Sequence, residues 1–314
     1  MKYSGVGGQA VLEGVMMKNE DRYAVAVRKA DGEIVIKEDS YTPVCKDLKL
    51  RKLPFIRGSF QLIDSLRLGM DTLEYSASFD EEAESSEPGF LEKHFSKETA
   101  DKITMALAVV LALIMSLGLF MVLPVLITAL FRPIISSRFG ISLLEGIGRV
   151  LLFVGYIFLI SRMKEIRRVF MYHGAEHKCI NCIEHGLPLT VENVRASSKE
   201  HKRCGTSFML FVMMISIFVS IFLPTEIQWM RVLTRLLMLP VVVGVSYEFI
   251  RLAGRSEGKF ADILSRPGLW LQGLTTKEPD DAMIEVGIAS VEAVFDWKKW
   301  QQEELGITCP EEEA

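Results

Sequence analysis

The chain has little histidine and little cysteine, five of each in 314 residues. It lacks a basic stripe interleaved with aromatics, which removes the case for nucleic acid as a partner. No GxGxxG turn follows a strand-like run, so a dinucleotide site is not expected. The first thirty residues show no basic segment leading into an apolar core and a small-residue cleavage site. No signal peptide is therefore expected, and the N-terminus is expected in the cytoplasm. Net charge is small, −4. What the chain holds in excess is apolar residue, 49% with a mean hydropathy of +0.25, gathered into long runs. That pattern predicts membrane spans and the lipid bilayer as a partner.

Ile103 to Leu130 is 28 residues without a charge, enough to cross a core of about 30 Å with tilt. Pro124 near its end predicts a kink or an exit. Further spans are expected at about Ser142–Ser161, Cys204–Thr225 and Val232–Ala253. Glu145 and Arg149 interrupt the second, but four residues apart they can pair on one helix face. Glu248 in the fourth is expected to face protein, near Arg149 or Arg251. Lysine and arginine number 15 in residues 1–102, nine in 162–207 and seven in 251–314, against two in the turns Phe131–Ile141 and Pro224–Met230. Basic residues mark the cytoplasmic side, so both termini and the segment 162–207 are expected inside.

Three regions follow. Residues 1–98 form a small cytoplasmic α+β region. Gly5–Met17 reads as a framework of tight turns, with Gln9 or Glu13 alternatively folded against the His/Cys segment. Tyr23–Asp39 reads as a hairpin turning at Asp31-Gly32. Leu53–Ala77 reads as an amphipathic helix with Ser59 as a cap, packed on the hairpin or lying in the membrane interface. Phe79–Phe90 is an acidic solvated linker. Residues 99–254 hold the four spans. Residues 255–314 hold an interfacial connector with Trp270 as an anchor, a helix from Asp280 to Leu305, and an acidic tail in which Cys309 is incidental.

Four of the five histidines and three of the five cysteines fall in one window, His173 to Ser207. In a reducing compartment such a cluster predicts metal binding or catalysis rather than a disulfide. His173-Gly-Ala-Glu176-His177 matches HxxEH: imidazoles four apart on a helix reach one metal, and the glutamate can act as base toward water. Gly174 weakens a helix there. Cys179-x2-Cys182 with His201-x2-Cys204 offers a second, closed four-ligand solution. Glu184, His185 and Glu200 read as surface residues.

HGAEHK (His173–Lys178), TVENV (Thr190–Val194) and RCGTSF (Arg203–Phe208) resemble the YqhQ family of bacterial membrane proteins. GGQAVLEGVMM, PFIRG (Pro54–Gly58), SYEFIRLAGR (Ser246–Arg255) and LTTKEPDDAMIEV (Leu274–Val286) extend the resemblance over nearly the whole chain. It implies a predicted metal-dependent enzyme without an established reaction, in a bacterial plasma membrane. It also implies that His173, Glu176, His177, His201 and Cys204 belong to the family's motifs. Cys179 departs from them, which favours a core of His173, His177 and His201 or Cys204.

The expected fold is a four-helix integral membrane protein with a small α+β N-terminal region and a helical C-terminal tail. The expected function is a metal-dependent hydrolase facing the cytoplasm, its divalent metal of the zinc type. His173 and His177 would be ligands, His201 or Cys204 a third, and Glu176 the general base. The competing reading is a non-enzymatic assembly or scaffold factor with a structural metal. A transporter, resting on Glu145, Arg149 and Glu248 at membrane depth, is the third. The substrate, a protein partner and a homo-oligomer stay open.

Overall fold

The computed structural model describes residues 2–79, 96–222, 227–255 and 259–307. Most of the acidic linker and the end of the tail, with Cys309, lie outside them, as does Thr225 at the end of the expected third span.

The N-terminal third is a four-stranded antiparallel meander in the order β1 (Gly7–Val11), β2 (Gly14–Asn19), β3 (Arg22–Arg28) and β4 (Ile34–Ser40). The expected hairpin is β3–β4, and Gly5–Met17 supplies a second one, β1–β2. Tyr23, Val25 and Val27 alternate with Ala24 and Ala26 because both faces are covered. Val15, Met17, Ala24 and Ala26 face one core, and Met16, Tyr23, Val25 and Val27 face another. The alanines let a helix approach closely enough for the Ser290 hydroxyl to donate to the Ala24 carbonyl at 3.1 Å.

A short α1 (Leu48–Lys52) leads to α2 (Ile56–Ala77), which covers the second face through Leu68. Ser59 is not its cap. The helix begins after Phe55, at φ +66°, and the Ser59 hydroxyl donates to the Pro240 carbonyl. Then come α3 (Lys97–Leu117), one π turn at Gly118–Val122 and α4 (Leu123–Ala129). The Leu123 N–H donates five residues back to Gly118, a register change placed just ahead of Pro124, which has no N–H to give. The helix therefore carries on past the proline.

The remaining helices are α5 (Arg138–Ile160), α6 (Lys164–Glu184), α7 (Val191–Ala196), α8 (Gly205–Phe222), α9 (Gln228–Arg255), α10 (Lys259–Thr275), α11 (Asp281–Val294) and α12 (Trp297–Trp300). Asp280 caps α11 by accepting from the Met283 N–H at 2.9 Å. Rather than trailing as a tail, α11 packs on the sheet and on α6. One core joins Val15 and Ala26 of the sheet, Tyr172, Ile180 and Ile183 of α6, and Ile284 and Val291 of α11. Each such aliphatic burial contributes about 1.5–3 kcal/mol. Residues expected to form separate N- and C-terminal regions thus share one core.

Among the described residues, four helices are long and apolar enough to cross a membrane: Ile103–Ala129, Phe139–Ile160, Gly205–Phe222 and Val232–Leu252. Leu107, Leu111 and Ile114 stand about 60% exposed (59%, 61% and 61%) on the first, a contiguous apolar surface of the kind lipid covers. Glu145 is buried and bonded to Arg149, as expected, and to Arg235. Glu248 faces protein with Arg251 near, also as expected, but its hydrogen-bonded partner is Arg57 of α2 (Nε to Oε1, 2.6 Å). The Phe55 N–H adds a bond to the same oxygen at 3.2 Å. The two carboxylates are held by different arginines, Glu145 by Arg149 and Arg235 and Glu248 by Arg57.

The thiols of Cys182 and Cys204 cannot report topology, because both are buried. With Cys45 and Cys309 replaced, a membrane-impermeant thiol reagent on intact cells is expected to label a cysteine introduced at the exposed Ser136, between α4 and α5, and to spare one at the exposed Glu192 of α7. The reverse labelling would invert the orientation.

Candidate metal centre

α6 runs unbroken from Lys164 to Glu184, so the His/Cys segment expected as a loop is largely helix. Gly174 does not interrupt it. A Cβ there would lie 1.9 Å from the Lys277 carbonyl oxygen. The glycine is what lets the segment after α10 cross the helix, where the Lys277 N–H donates to the Phe170 carbonyl at 2.8 Å.

From Gly174 onward α6 is buried on every side. Buried polar groups must be hydrogen-bonded, and here the partners are mostly the carbonyls of one segment, residues 195–200. Lys178 Nζ donates to Arg195 and Ser197 at 2.9 and 2.8 Å, and Asn181 Nδ2 to Ser198 and Glu200 at 2.6 and 3.0 Å. His177 Nδ1 donates to Lys199 at 2.7 Å. The segment is thereby held along the helix, and the residues after it, His201 to Cys204, arrive over the histidine face. From α10, Gln272 fixes the same stretch: it accepts from the His201 N–H at 3.0 Å and donates to the His201 carbonyl at 2.7 Å and the Ser207 hydroxyl at 2.9 Å.

His173 Nδ1 donates to the Thr275 carbonyl at 3.0 Å. With both Nδ1 atoms on backbone carbonyls, both Nε2 atoms are left available to a metal, the arrangement that metal-bound histidines commonly show. One ligand atom each from His173, His177 and Cys204 lies within 4.8 Å of the others. His173 Nε2 and Cys204 Sγ are 3.4 Å apart. Metal bonds of about 2.1 Å to nitrogen and 2.3 Å to sulfur at a tetrahedral angle put those atoms about 3.6 Å apart. The residues present fit a zinc-type ion. Burial alone would raise the Cys204 thiol, but His173 and His177 outweigh it and hold the thiol well below its ordinary range. Burial works against the His173 charge, yet Cys204, Glu176 and the Thr275 carbonyl push its pKa up to about 9. Even without an ion, the cluster favours a thiolate.

A cavity of about 130 Å³ opens over the cluster, walled by Tyr3 and Val6–Gly8 on one side and by Ile180, His201 and Arg203 on the other. That is room for more than one water. Glu176 lines it, buried, with Oε2 at 3.8 Å from His173 Nε2. His201 also lines it but does not join the three: its Nε2 is 3.5 Å from Glu184 Oε2.

The closed four-cysteine/histidine arrangement is not formed. Cys179 points into the core against Gly287, and Cys182 donates to the Pro188 carbonyl at 3.4 Å. Burial raises both thiols, Cys182 to about 11. Glu184 is no surface residue. It is buried and accepts from the Ser4 N–H and hydroxyl, both at 3.0 Å, with Arg203 at 3.9 Å. Its spacing of seven from His177 on the histidine face was the signal that could have found it. His185 turns back to the Asn181 carbonyl at 2.7 Å, and Glu200 is exposed. Of the two residues expected to reach the segment from the N-terminus, Glu13 does so, pairing with Arg168 at 2.5 Å and accepting from the Tyr172 hydroxyl. Gln9 bonds Thr72 of α2 instead.

Fold and site together define a mostly helical protein with, among the described residues, four membrane-length apolar helices and a His-His-Cys cluster beside a buried glutamate. A family model described as "Protein of unknown function (DUF1385)" matches residues 53–297. The "Uncharacterized protein YqhQ" of Bacillus subtilis (strain 168) is 40% identical over 287 residues, 90% of each chain. The chain belongs to this family. No solved structure matches it.

Burial opposes the charge on Glu184, but His201 and Ser4 outweigh it and hold the carboxyl below its ordinary range. A depressed carboxyl contributes stability that is complete above its unfolded pKa of about 4.3 and lost as pH falls through the lower folded value. Glu184→Gln is therefore expected to flatten the acid limb of a plot of melting temperature against pH, below about pH 5. An acid limb as steep as wild type would remove Glu184 from this role.

Proposed function

We propose that this chain is a multi-pass membrane protein with a metal-dependent hydrolase site of the zinc type on its cytoplasmic side. What supports the reading above all is that three ligand atoms, two of them fixed in tautomer by backbone carbonyls, converge at one wall of a cavity with a carboxylate beside them. His173, His177 and Cys204 are the ligands. Nitrogen and sulfur donors in this number suit zinc, and three protein ligands leave a position open, as catalytic sites do and closed structural sites do not. An ion held there would supply Lewis acidity and acidify water beside it.

The rest is the work of the protein's own side chains. Glu176 accepts a proton from a water in the cavity. Its burial keeps the proton transfer out of bulk solvent. His201, held by Glu184, faces the same space and can return a proton to a departing group. Arg203, stacked on the Tyr3 ring at 3.5 Å, closes the outer wall and gives it positive charge. A bond polarised toward an oxygen or nitrogen leaving group is the class of substrate this arrangement serves.

Glu176→Gln keeps size and hydrogen bonding while removing the base. Metal content and abundance are expected at wild-type levels, with turnover, read as rescue of a deletion strain, reduced by about 100- to 10,000-fold. A Glu176→Gln protein that holds its metal and rescues fully would leave the scaffold reading in its place.

A further inference from the structure

A second cavity, of about 240 Å³, lies away from the histidines, between α1, the first turns of α2 and the end of α9. Its lining is Arg51, Lys52, Arg57, Phe60, Gln61 and Tyr247. Three of the six are cations. Two carboxylates stand near: Arg57 is paired with Glu248, and Arg51 approaches the buried Asp64 at 3.5 Å. Lys52 makes no ion pair among the described residues, so the cavity keeps a surplus of positive charge. Lys46 and Lys49 precede it in the chain and make this stretch the most basic run of the N-terminal region.

The place of this cavity narrows what it can hold. Here α2 is seated directly on α9, within the apolar stretch Val232–Leu252. The Phe55 carbonyl oxygen lies where a Cβ on Gly244 would come within 2.0 Å of it, so only glycine admits the contact. Tyr247 and Glu248 stand five and four residues short of the end of that stretch at Leu252. At a rise of about 1.5 Å per residue they lie one helical turn or so inside it. That is the level of a phospholipid headgroup if α9 crosses the bilayer.

The face that α2 turns outward fits the same level. Its buried side is made of Gly58, Asp64, Gly69, Thr72 and Ser76 with one large apolar residue, Leu68. Its large apolar residues are on the outside: Ile56 and Ile63 are 46% and 48% exposed, Met70 and Leu73 43% and 42%. Their successive spacings of seven, seven and three keep them on one side of the helix as a ridge. A water-facing helix would be built the other way round. Val241 and Leu252 of α9, the helix on which α2 is seated, are exposed as well.

We propose that this cavity binds the phosphate of an anionic phospholipid, with α2 lying in the cytoplasmic interface and its outer ridge against the acyl chains. Lys52 and Arg51 meet the phosphate oxygens, Gln61 and the Tyr247 hydroxyl supply neutral hydrogen bonds, and the ridge takes the chains. The proposal rests on α9 spanning the membrane and is independent of the metal centre.

Purified full-length protein in a mild non-ionic detergent is titrated with phosphatidylglycerol, phosphatidylcholine and inorganic phosphate, with bound lipid counted by native mass spectrometry. Phosphatidylglycerol is expected to bind in preference to phosphatidylcholine, and inorganic phosphate to compete only weakly. Lys52→Gln, a change at an exposed side chain outside both cores, is expected to melt like wild type and to weaken phosphatidylglycerol about fivefold. Equal binding of the two lipids would overturn the proposal, as would an unchanged affinity in a normally folded Lys52→Gln protein. Phosphate binding as tight as the anionic lipid would assign the cavity to a soluble phosphate compound instead and overturn the lipid source. Alkaline carbonate extraction of the same membranes reads the spanning of α9 separately: release of the protein by carbonate would remove the ground on which the lipid assignment stands.

Discussion

The structure depends on a helix whose second half is buried and yet carries Glu176, His177, Lys178, Asn181 and Glu184. Leaving one buried donor without an acceptor costs about 1–3 kcal/mol, and more for a charge. Five donor bonds from His177, Lys178 and Asn181 take up the carbonyls of residues 195–200, with Glu278 adding an ion pair to Lys178 at 3.0 Å. The route of that segment is thus a consequence of satisfying the helix. Because Cys204 follows it by four residues, the third ligand-type atom reaches the histidines as part of the same requirement. Site and core are one object here.

The same helix explains why the ends of the chain meet. Its core face, with Tyr172, Ala175, Cys179 and Ile183, is closed by the sheet and by α11. Ser4, held by Glu184, brings the segment Tyr3–Gly8 across the top as the cavity wall. The apolar helices α5, α8 and α9 pack beside this body, with α10 returning from them to place Gln272 and Thr275. A candidate site held by the segment Tyr3–Gly8, by α11 and by the apolar helices has little freedom to rearrange, which is what a site needs if it is to hold donor atoms in place.

Much of this was legible in the sequence, and the reasons differ. The four apolar helices could be read because length and absence of charge are local properties. HxxEH could be read because a spacing of four on a helix is a geometric statement. The hairpin at Asp31-Gly32 and the pairing of Glu145 with Arg149 are local in the same way. What could not be read were contacts made at long range in the chain. Glu184 looked like a surface residue because its partners, Ser4 and His201, are 180 and 17 residues away. Gly174 looked like a weakness because Lys277, which needs its bare Cα, is far along the chain. Arg57 could not be named as the partner of Glu248 because nothing in the periodicity of α2 announced that it would be seated on α9. That Cys204 and not His201 stands beside the two histidines likewise follows from long-range contacts, those of His201 with Gln272 and Glu184.

The central claim is a centre with two nitrogen ligands and a single sulfur. The most direct test is to remove metal from the purified protein, load it with cobalt(II) and record the absorption spectrum. The account predicts one equivalent of cobalt with the visible bands of a low-coordinate site, and a thiolate-to-metal charge-transfer band that disappears in Cys204→Ala but persists in Cys179→Ala and Cys182→Ala. A protein that takes up no cobalt, or whose thiolate band survives the loss of Cys204, would contradict it.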